Sequence, residues 1–124
     1  MNDYRQRLGK FGEAIAENYL AHYGYAPIGR NFKTYYGEID LIAQKGDEIL
    51  FCEVKTRSAD DYGYPEESVD RRKIRHLIKA AVSYLEWKRI DKFWRLDIIS
   101  ISISKREKKA KIKWFKNISE DLSV

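Results

Sequence analysis

Hydrophobic positions along the chain follow a helical period first and a strand period afterwards. Residues 4 to 23 carry large apolar side chains every three or four positions, which predicts an amphipathic helix with one buried stripe. The stripe consists of Leu8, Phe11, Ile15 and Tyr19. Gly24 follows where helices commonly end. Pro27 and Gly29 then break the pattern, and a short strand is expected only over residues 31 to 36.

Two alternating segments come next, Glu38 to Gln44 and Glu48 to Thr56, joined by a turn at residues 45 to 47. Strict alternation divides each strand between two faces. For the first strand the two faces are Ile39, Leu41 and Ala43, against Glu38, Asp40 and Ile42. For the second they are Leu50, Cys52 and Val54, against Ile49, Phe51, Glu53 and Lys55. Apolar residues on both faces predict central strands in a sheet that is covered on both sides.

The rest of the chain completes an α/β pattern. The remaining predicted elements are a loop over residues 57 to 69, a helix from Asp70 to about Lys88, and strands over 93 to 104 and 110 to 116. The order α-β-β-β-α-β-β predicts a mixed β-sheet flanked by helices. A length of 124 residues is that of a single domain, with its core over about residues 4 to 116.

The charge balance points to an anionic partner. Lys and Arg number 24 against 19 Asp and Glu, so the net charge is +5, which favours nucleic acid. The single cysteine, Cys52, excludes an internal disulfide and fits a reducing compartment. The first residues lack the apolar core of a signal peptide, and no apolar run approaches the ~20 residues of a membrane span. We therefore expect a cytoplasmic protein with no membrane partner.

Candidate chemistry lies on the two central strands. Glu53 and Lys55 project from one face about 6.6 Å apart, and the turn at residues 45 to 47 brings Asp40 beside them. Two carboxylates on an otherwise apolar face are unfavourable unless they are paired or bind a metal. Mg²⁺ or Mn²⁺ prefers such oxygens, and Lys55 would then orient a water or hold a phosphate. The alternative is a solvated strand edge with a cross-strand ion pair.

The spacing of Asp40, Glu53 and Lys55 resembles the signature of the PD-(D/E)xK nucleases, which have the restriction-endonuclease-like fold. Further motifs resemble the YraN-like family of bacterial proteins over about residues 5 to 103. These motifs are Gly9-x-x-Gly12-Glu13, Gly37-Glu38-Ile39-Asp40-Leu41-Ile42, Glu53-Val54-Lys55-Thr56-Arg57 and Arg95-Leu96-Asp97. The last replaces the family's more usual Arg-Phe-Asp, which is a conservative apolar change.

The resemblance implies a metal-dependent endonuclease that hydrolyses DNA phosphodiester bonds. It implies kinship with the archaeal Holliday junction resolvases, whose first-helix glutamate serves the metal site, and that role falls here on Glu13. Asp40, Glu53 and Glu13 would bind Mg²⁺ or Mn²⁺, while Lys55 assists the attacking water. Branched or single-stranded DNA is the implied substrate. A homodimer is expected by analogy, because a junction has two symmetric scissile strands.

Other charged residues near the site have two readings each. Glu38 shares a face with Asp40 by period two, so it either supports the metal site or pairs with Lys33 or Arg57. Phosphate contacts are expected from the basic residues that follow the active strand, namely Arg57, Arg71, Arg72, Lys73 and Arg75. The lysine-rich segment 105 to 116 is more typical of a solvated face. Two other functions stay open: a nucleic-acid-binding module that does not cut, and an adaptor in a DNA-processing complex.

Overall fold

The structure is a computed structural model that describes residues 3–62 and 70–119. In chain order its elements are α1 (Asp3–His22), β1 (Ala26–Thr34), β2 (Gly37–Lys45), β3 (Glu48–Ser58), α2 (Ala59–Tyr62), α3 (Arg71–Lys88), β4 (Phe93–Ser104) and β5 (Lys109–Phe115). The α/β class and the predicted order of the long elements are confirmed. The short helix α2 lies within the segment 57 to 69 that was predicted to be a loop. Residues 63 to 69 of that segment lie outside the described residues. Within the described ranges, no helix is long and apolar enough to cross a membrane.

The five strands form one mixed sheet in the order β1-β2-β3-β4-β5. Neighbouring strands are antiparallel except β3 and β4, which are parallel and are connected through α3. Asp70 caps α3 as predicted, since its side chain accepts a hydrogen bond from the backbone N–H of Arg72. The predicted β2–β3 turn is also confirmed, with Lys45 paired to Glu48 across it.

One helix covers each face of the sheet. On one side α3 packs on a cluster that includes Ile42, Phe51, Leu96 and Ile98. On the other side α1 packs on a cluster that includes Leu41, Cys52, Ile99 and Ile101. Central strands that are apolar on both faces are therefore buried on both faces, as their pattern predicts.

The stripe that α1 buries differs from the predicted one. Phe11 is 57% exposed, and the fully buried positions are Gly12, Ala16 and Leu20, one turn apart along the helix. A Cβ added at Gly12 would overlap the side chain of Thr56 on β3. The small residues allow α1 to approach the sheet closely, and large residues flank this line of contact instead of filling it.

The face assignment along β2 is wrong for the two residues before Asp40, because Ile39 lies on the α3 side and Glu38 lies on the α1 side. Ile39 packs in the α3 cluster with Ile42, whereas Leu41 packs in the α1 cluster. The change of face lies at Asp40, where the β1–β2 ladder has no pair between Arg30–Leu41 and Phe32–Ile39, and Asn31 takes a left-handed conformation with φ 48°. Strict alternation fails across this irregularity, so Asp40 lies where the chain changes faces.

A buried polar network ties β4 to β5 on the α1 side. Asp97 is fully buried and accepts hydrogen bonds from the Arg95 guanidinium, the Trp114 indole at 2.7 Å and the backbone N–H of Asn117 at 2.7 Å. Arg95 also lies 3.5 Å from Glu48. An ion pair with this many hydrogen bonds has a structural role, so the Arg95-Leu96-Asp97 motif needs no catalytic role to explain it.

Candidate active site

Asp40 lies where β2 and β3 separate. The β2–β3 ladder ends at the pair Leu41–Cys52, and Asp40 is the residue immediately before Leu41 in β2. Its carboxylate Oδ2 accepts a hydrogen bond of 2.8 Å from the backbone N–H of Val54. The side chain thus occupies the place of a backbone carbonyl, which leaves the two strand ends apart and orients the carboxylate.

Glu53 ends the buried part of β3 on the α3 side. Glu53 is 8% exposed, and its Oε1 lies 2.9 Å from Nζ of Lys73 in the first turn of α3. The other oxygen, Oε2, is buried and has no hydrogen-bond partner among the described residues. A buried carboxylate oxygen without a donor is unfavourable, and a bound cation would satisfy it.

The electrostatic effect of this crowding is clearest at Asp40. The pKa of Asp40 is raised from 3.8 to about 6, and burial is the largest cause, while the hydrogen bond from the Val54 N–H lowers it. The carboxylates of Glu13, Glu53 and Glu38, in that order, contribute to the same rise in the pKa of Asp40. The pKa of Lys73 is raised mainly by its hydrogen bond to Glu53. Lys73 therefore balances only part of the negative charge of these four carboxylates.

Glu13 and Glu38 approach Asp40 from the α1 side. Glu13 is half-buried and accepts a hydrogen bond of 3.3 Å from the Asn31 side chain. Both glutamates line an open cavity of about 810 Å³ together with Lys33 and residues of the first turns of α1. The structure thus brings these two acids within electrostatic range of Asp40, on the opposite side from Lys73.

Lys55 and Arg57 continue from Glu53 along β3. Both are exposed, and strand alternation places them on the same face as Glu53. The half-buried residues between them, Val54 and Thr56, face α1. Lys55 is thus the first cation of β3 beyond the carboxylates, at the position that the motif requires.

The basic residues of α3 divide into two groups. Lys73 contacts Glu53 directly, although its side chain is 56% exposed. Arg71, Arg72 and Arg75 are exposed on the same helical segment. Lys73 was expected to contact phosphate, and in the structure its direct partner is a carboxylate.

Three contributors to the site were not found from the sequence. These are the Val54 amide, the Asn31 side chain and the Lys73–Glu53 pair. Asn31 carried a weak signal, because asparagine tolerates the left-handed conformation better than most residues. The Val54 amide and the Lys73–Glu53 pair depend on contacts between distant segments, for which the local sequence pattern gives no signal.

The oxygen donors fit a hard divalent cation, although they do not form a closed cage. In the described part of the chain, no group of three or more His, Cys, Asp or Glu side chains is close enough to hold a metal. The donor set is nevertheless that of Mg²⁺, which binds through one or two carboxylates and keeps several waters. The unpartnered Glu53 Oε2 and the crowded Asp40 carboxylate are the two groups that such a cation would satisfy.

Comparison with known proteins gives one consistent family. The chain matches the model of the uncharacterised protein family UPF0102 over residues 12–101. It is 41% identical to a UPF0102 protein of Clostridium tetani over 125 residues, covering 100% of this chain and 93% of that relative. It is 51% identical over 81 residues to one of Syntrophomonas wolfei, covering 65% of this chain and 70% of the relative. A UPF0102 protein of Persephonella marina is 47% identical over 94 residues, covering 75% of this chain and 81% of the relative.

Proposed function

We propose that this chain, which belongs to the uncharacterised protein family UPF0102, the YraN-like family that its motifs predict, is a Mg²⁺- or Mn²⁺-dependent endonuclease. In this proposal it belongs to the PD-(D/E)xK nuclease superfamily and hydrolyses DNA phosphodiester bonds. One observation carries the proposal: Glu53 is buried, and its Oε2 has no hydrogen-bond partner among the described residues, near Asp40, whose pKa burial and neighbouring carboxylates raise to about 6. Such an arrangement lowers the stability of the folded protein until a cation binds to the carboxylates, which is typical of a functional site.

Asp40 and Glu53 would hold the metal, and Glu13 would complete the site from α1. A bound divalent cation would neutralise charge on the scissile phosphate and make a bound water more acidic. The hydrogen bond from Val54 fixes the direction of the Asp40 carboxylate before any ligand binds. This orientation reduces the reorganisation that the reaction needs.

Lys55 and Lys73 have different roles in this proposal. Lys55 is exposed next to the carboxylates and would hold the phosphate or orient the attacking water as a compact positive charge. Lys73 balances Glu53 in the free protein, and its long exposed side chain can swing away when a divalent cation takes that role. Glu38 would support the site from the cavity side.

The DNA partner is inferred from charge and from the family resemblance. Arg57, Arg71, Arg72 and Arg75 are exposed cations on the two elements that border the carboxylates. Arginine at such positions suits phosphate contacts. The resemblance adds branched or single-stranded DNA as the substrate, a cytoplasmic location and a homodimer. A solution mass that stays monomeric across a concentration series would contradict the dimer.

A cleavage assay with matched variants tests the proposal. We expect wild type to cut DNA with Mg²⁺ and to lose activity in EDTA, whereas Asp40→Asn should cut at least about 1000-fold more slowly. DNA binding by this variant should stay within about threefold, because one buried carboxylate is not a phosphate contact. The control is Asp47→Asn, an exposed aspartate in the distant β2–β3 turn, which should cut like wild type. Equal cleavage by wild type and Asp40→Asn would mean that the activity belongs to a contaminant.

A second candidate is a nucleic-acid-binding module that does not cut. The Lys73–Glu53 ion pair favours it, because an ammonium already lies where a metal would balance Glu53. Salt-sensitive DNA binding without metal-dependent cleavage would support this candidate. An absence of DNA binding would leave the adaptor function instead.

A further inference from the structure

Two tyrosines form the tip of the β1–β2 hairpin, at the end of the sheet that carries the carboxylates. Tyr35 and Tyr36 lie between the last residue of β1 and the first residue of β2, and they are 98% and 42% exposed. Asp40 follows Gly37 by three residues on β2, which is about 10 Å along an extended strand. The two rings are therefore close to the proposed metal site and accessible from solvent.

The turn does not need tyrosines in order to form. Thr34 Oγ1 accepts a hydrogen bond of 3.0 Å from the backbone N–H of Tyr36 and donates one of 2.9 Å to the carbonyl oxygen of Gly37. Gly37 takes a φ of 139°, which glycine adopts more easily than other residues. The residue types that favour tight turns are Gly, Pro, Asn, Asp and Ser. Two tyrosines at this tip are an exception to turn chemistry, and such exceptions are expected at functional sites.

The two rings form a supported pair. They contact each other edge to face, with centroids 5.6 Å apart and ring planes at 89°. Nζ of Lys79 on α3 lies 5.5 Å from the centroid of the Tyr36 ring, so this ring is also contacted from the helix. Tyr36 is thus held by a ring and a cation, whereas Tyr35 presents an open aromatic surface to solvent.

Lysines border the tip on both sides of the sheet. Lys79 lies on the α3 side. Lys33 of β1 is exposed on the α1 side, where it lines the cavity of about 810 Å³ together with Glu13 and Glu38. Proteins bind single-stranded nucleic acid through aromatic rings that stack on its bases and cations that contact its phosphates. The hairpin tip offers both kinds of group beside the proposed metal site.

We propose that the tip of the β1–β2 hairpin binds an unpaired base of the DNA substrate, which stacks on Tyr35 while Tyr36 supports that ring. This inference rests on the proposed nuclease function and specifies its substrate as DNA that is unpaired near the cut. A base inside a duplex is already paired and stacked, so it would have to leave the helix at a cost in energy. At about 3.4 Å per stacked nucleotide, the tip contacts a base about three nucleotides from the cut.

Anisotropy with single-stranded probes tests the stacking. The probe is a fluorescein-labelled oligothymidylate of about 16 nucleotides, and binding is measured in EDTA over a salt series. We expect Tyr35→Ala/Tyr36→Ala to bind about tenfold more weakly, because a stacked base is lost. The slope of log K against log salt should stay as in wild type, since a tyrosine carries no charge and displaces no counterions.

A second probe removes the bases instead of the tyrosines. It has the same length and label, but abasic sites replace the nucleosides, so the phosphates remain. Wild type should bind this probe about tenfold more weakly than oligothymidylate, whereas Tyr35→Ala/Tyr36→Ala should bind both with nearly the same affinity. Equal affinity of wild type and variant for oligothymidylate, or no binding of it by wild type, would overturn the proposal.

Three further variants separate stacking from folding and from general exposure of aromatic rings. Tyr35→Phe/Tyr36→Phe should bind like wild type, because both rings are kept. Phe93→Ala removes a ring that is 82% exposed at the opposite end of the sheet and should also bind like wild type. If the double alanine variant does not fold, Tyr35→Ala alone gives the same test, since that side chain is almost fully exposed.

Two comparisons keep this inference apart from the proposed function. Because binding is measured in EDTA, a protein that loses affinity with the tyrosines and never cuts would refute the nuclease and keep the stacking tip. A protein that cuts single-stranded DNA equally well with and without both tyrosine rings would keep the nuclease and refute the tip. An equal loss of affinity for a blunt duplex of the same length would overturn the assignment to an unpaired base.

Discussion

Replacing Asp40 by asparagine should stabilise the metal-free protein while it abolishes cleavage. Asp40 is partly buried, and three carboxylates from different elements surround it: Glu13 on α1, Glu38 on β2 and Glu53 on β3. Lys73 on α3 balances only part of this charge. An asparagine removes the repulsion, and its side-chain oxygen can still accept the hydrogen bond from the Val54 N–H.

The size and sign of the effect follow from the Asp40 pKa. The difference between 3.8 and about 6 corresponds to about 3 kcal/mol of stability. We expect about 2 kcal/mol in practice, because solvent screens a partly exposed group. Below pH 3.8 both the folded and unfolded forms are protonated and the effect is absent. As the pH rises from 3.8 to 6 the folded state loses stability relative to the unfolded state, and above pH 6 the loss is complete.

Urea unfolding at a series of pH values measures this difference. At pH 8 in EDTA, Asp40→Asn should exceed wild type by about 2 kcal/mol, and the gap should shrink toward pH 4. Saturating Mg²⁺ should stabilise wild type and not the variant, because a ligand stabilises the state that binds it. A variant less stable than wild type at pH 8, or a gap independent of pH, would refute the electrostatic reasoning.

Three further substitutions test the site and its support. Gly12→Ala should destabilise the protein by about 2 kcal/mol, because the added Cβ would overlap Thr56. Gly9→Ala, which has open space around it, should instead stabilise the protein by about 0.5–1 kcal/mol. Thermal unfolding of both variants tests this, and two shifts of the same sign would contradict the close approach of α1. Lys55→Ala should lower the cleavage rate at least about 100-fold at saturating DNA, and an unchanged rate would remove this lysine from the chemistry. Asp97→Asn should lower the free energy of unfolding by about 3 kcal/mol, since it leaves the half-buried Arg95 guanidinium beside a neutral group. Its folded fraction should still cut DNA, and a selective loss of activity would contradict a structural role.

Local patterns were enough for the order of the long elements, although β1 spans Ala26–Thr34 and not residues 31 to 36, and for the approach of Asp40 to Glu53. Period two along β3 placed Glu53 and Lys55 together, and the turn before it predicted the approach of Asp40. The Asp70 cap and the period of the second long helix were also correct. These features depend on residues close in the chain, so backbone geometry relates pattern directly to structure.

Other features depended on how segments pack. The pattern of large side chains favoured Phe11 on the buried side of α1, but the close approach to Thr56 selects Gly12 and exposes the phenylalanine. The strand β2 changes faces at Asp40, so Ile39 packs in the α3 cluster and Leu41 in the α1 cluster, which no count of alternating positions reveals. In both cases a contact between distant segments overrode the local period.

The chain alone therefore determined which residue types are available for chemistry and which strands carry them. Only the tertiary structure decided that Lys73 pairs with Glu53, and that Lys113 and Lys111 lie across β4 from Lys55 and Arg57. The physical reason is that periodicity sets the direction of a side chain relative to its own strand or helix. The register between strands and the distance of each helix from the sheet set what that side chain meets.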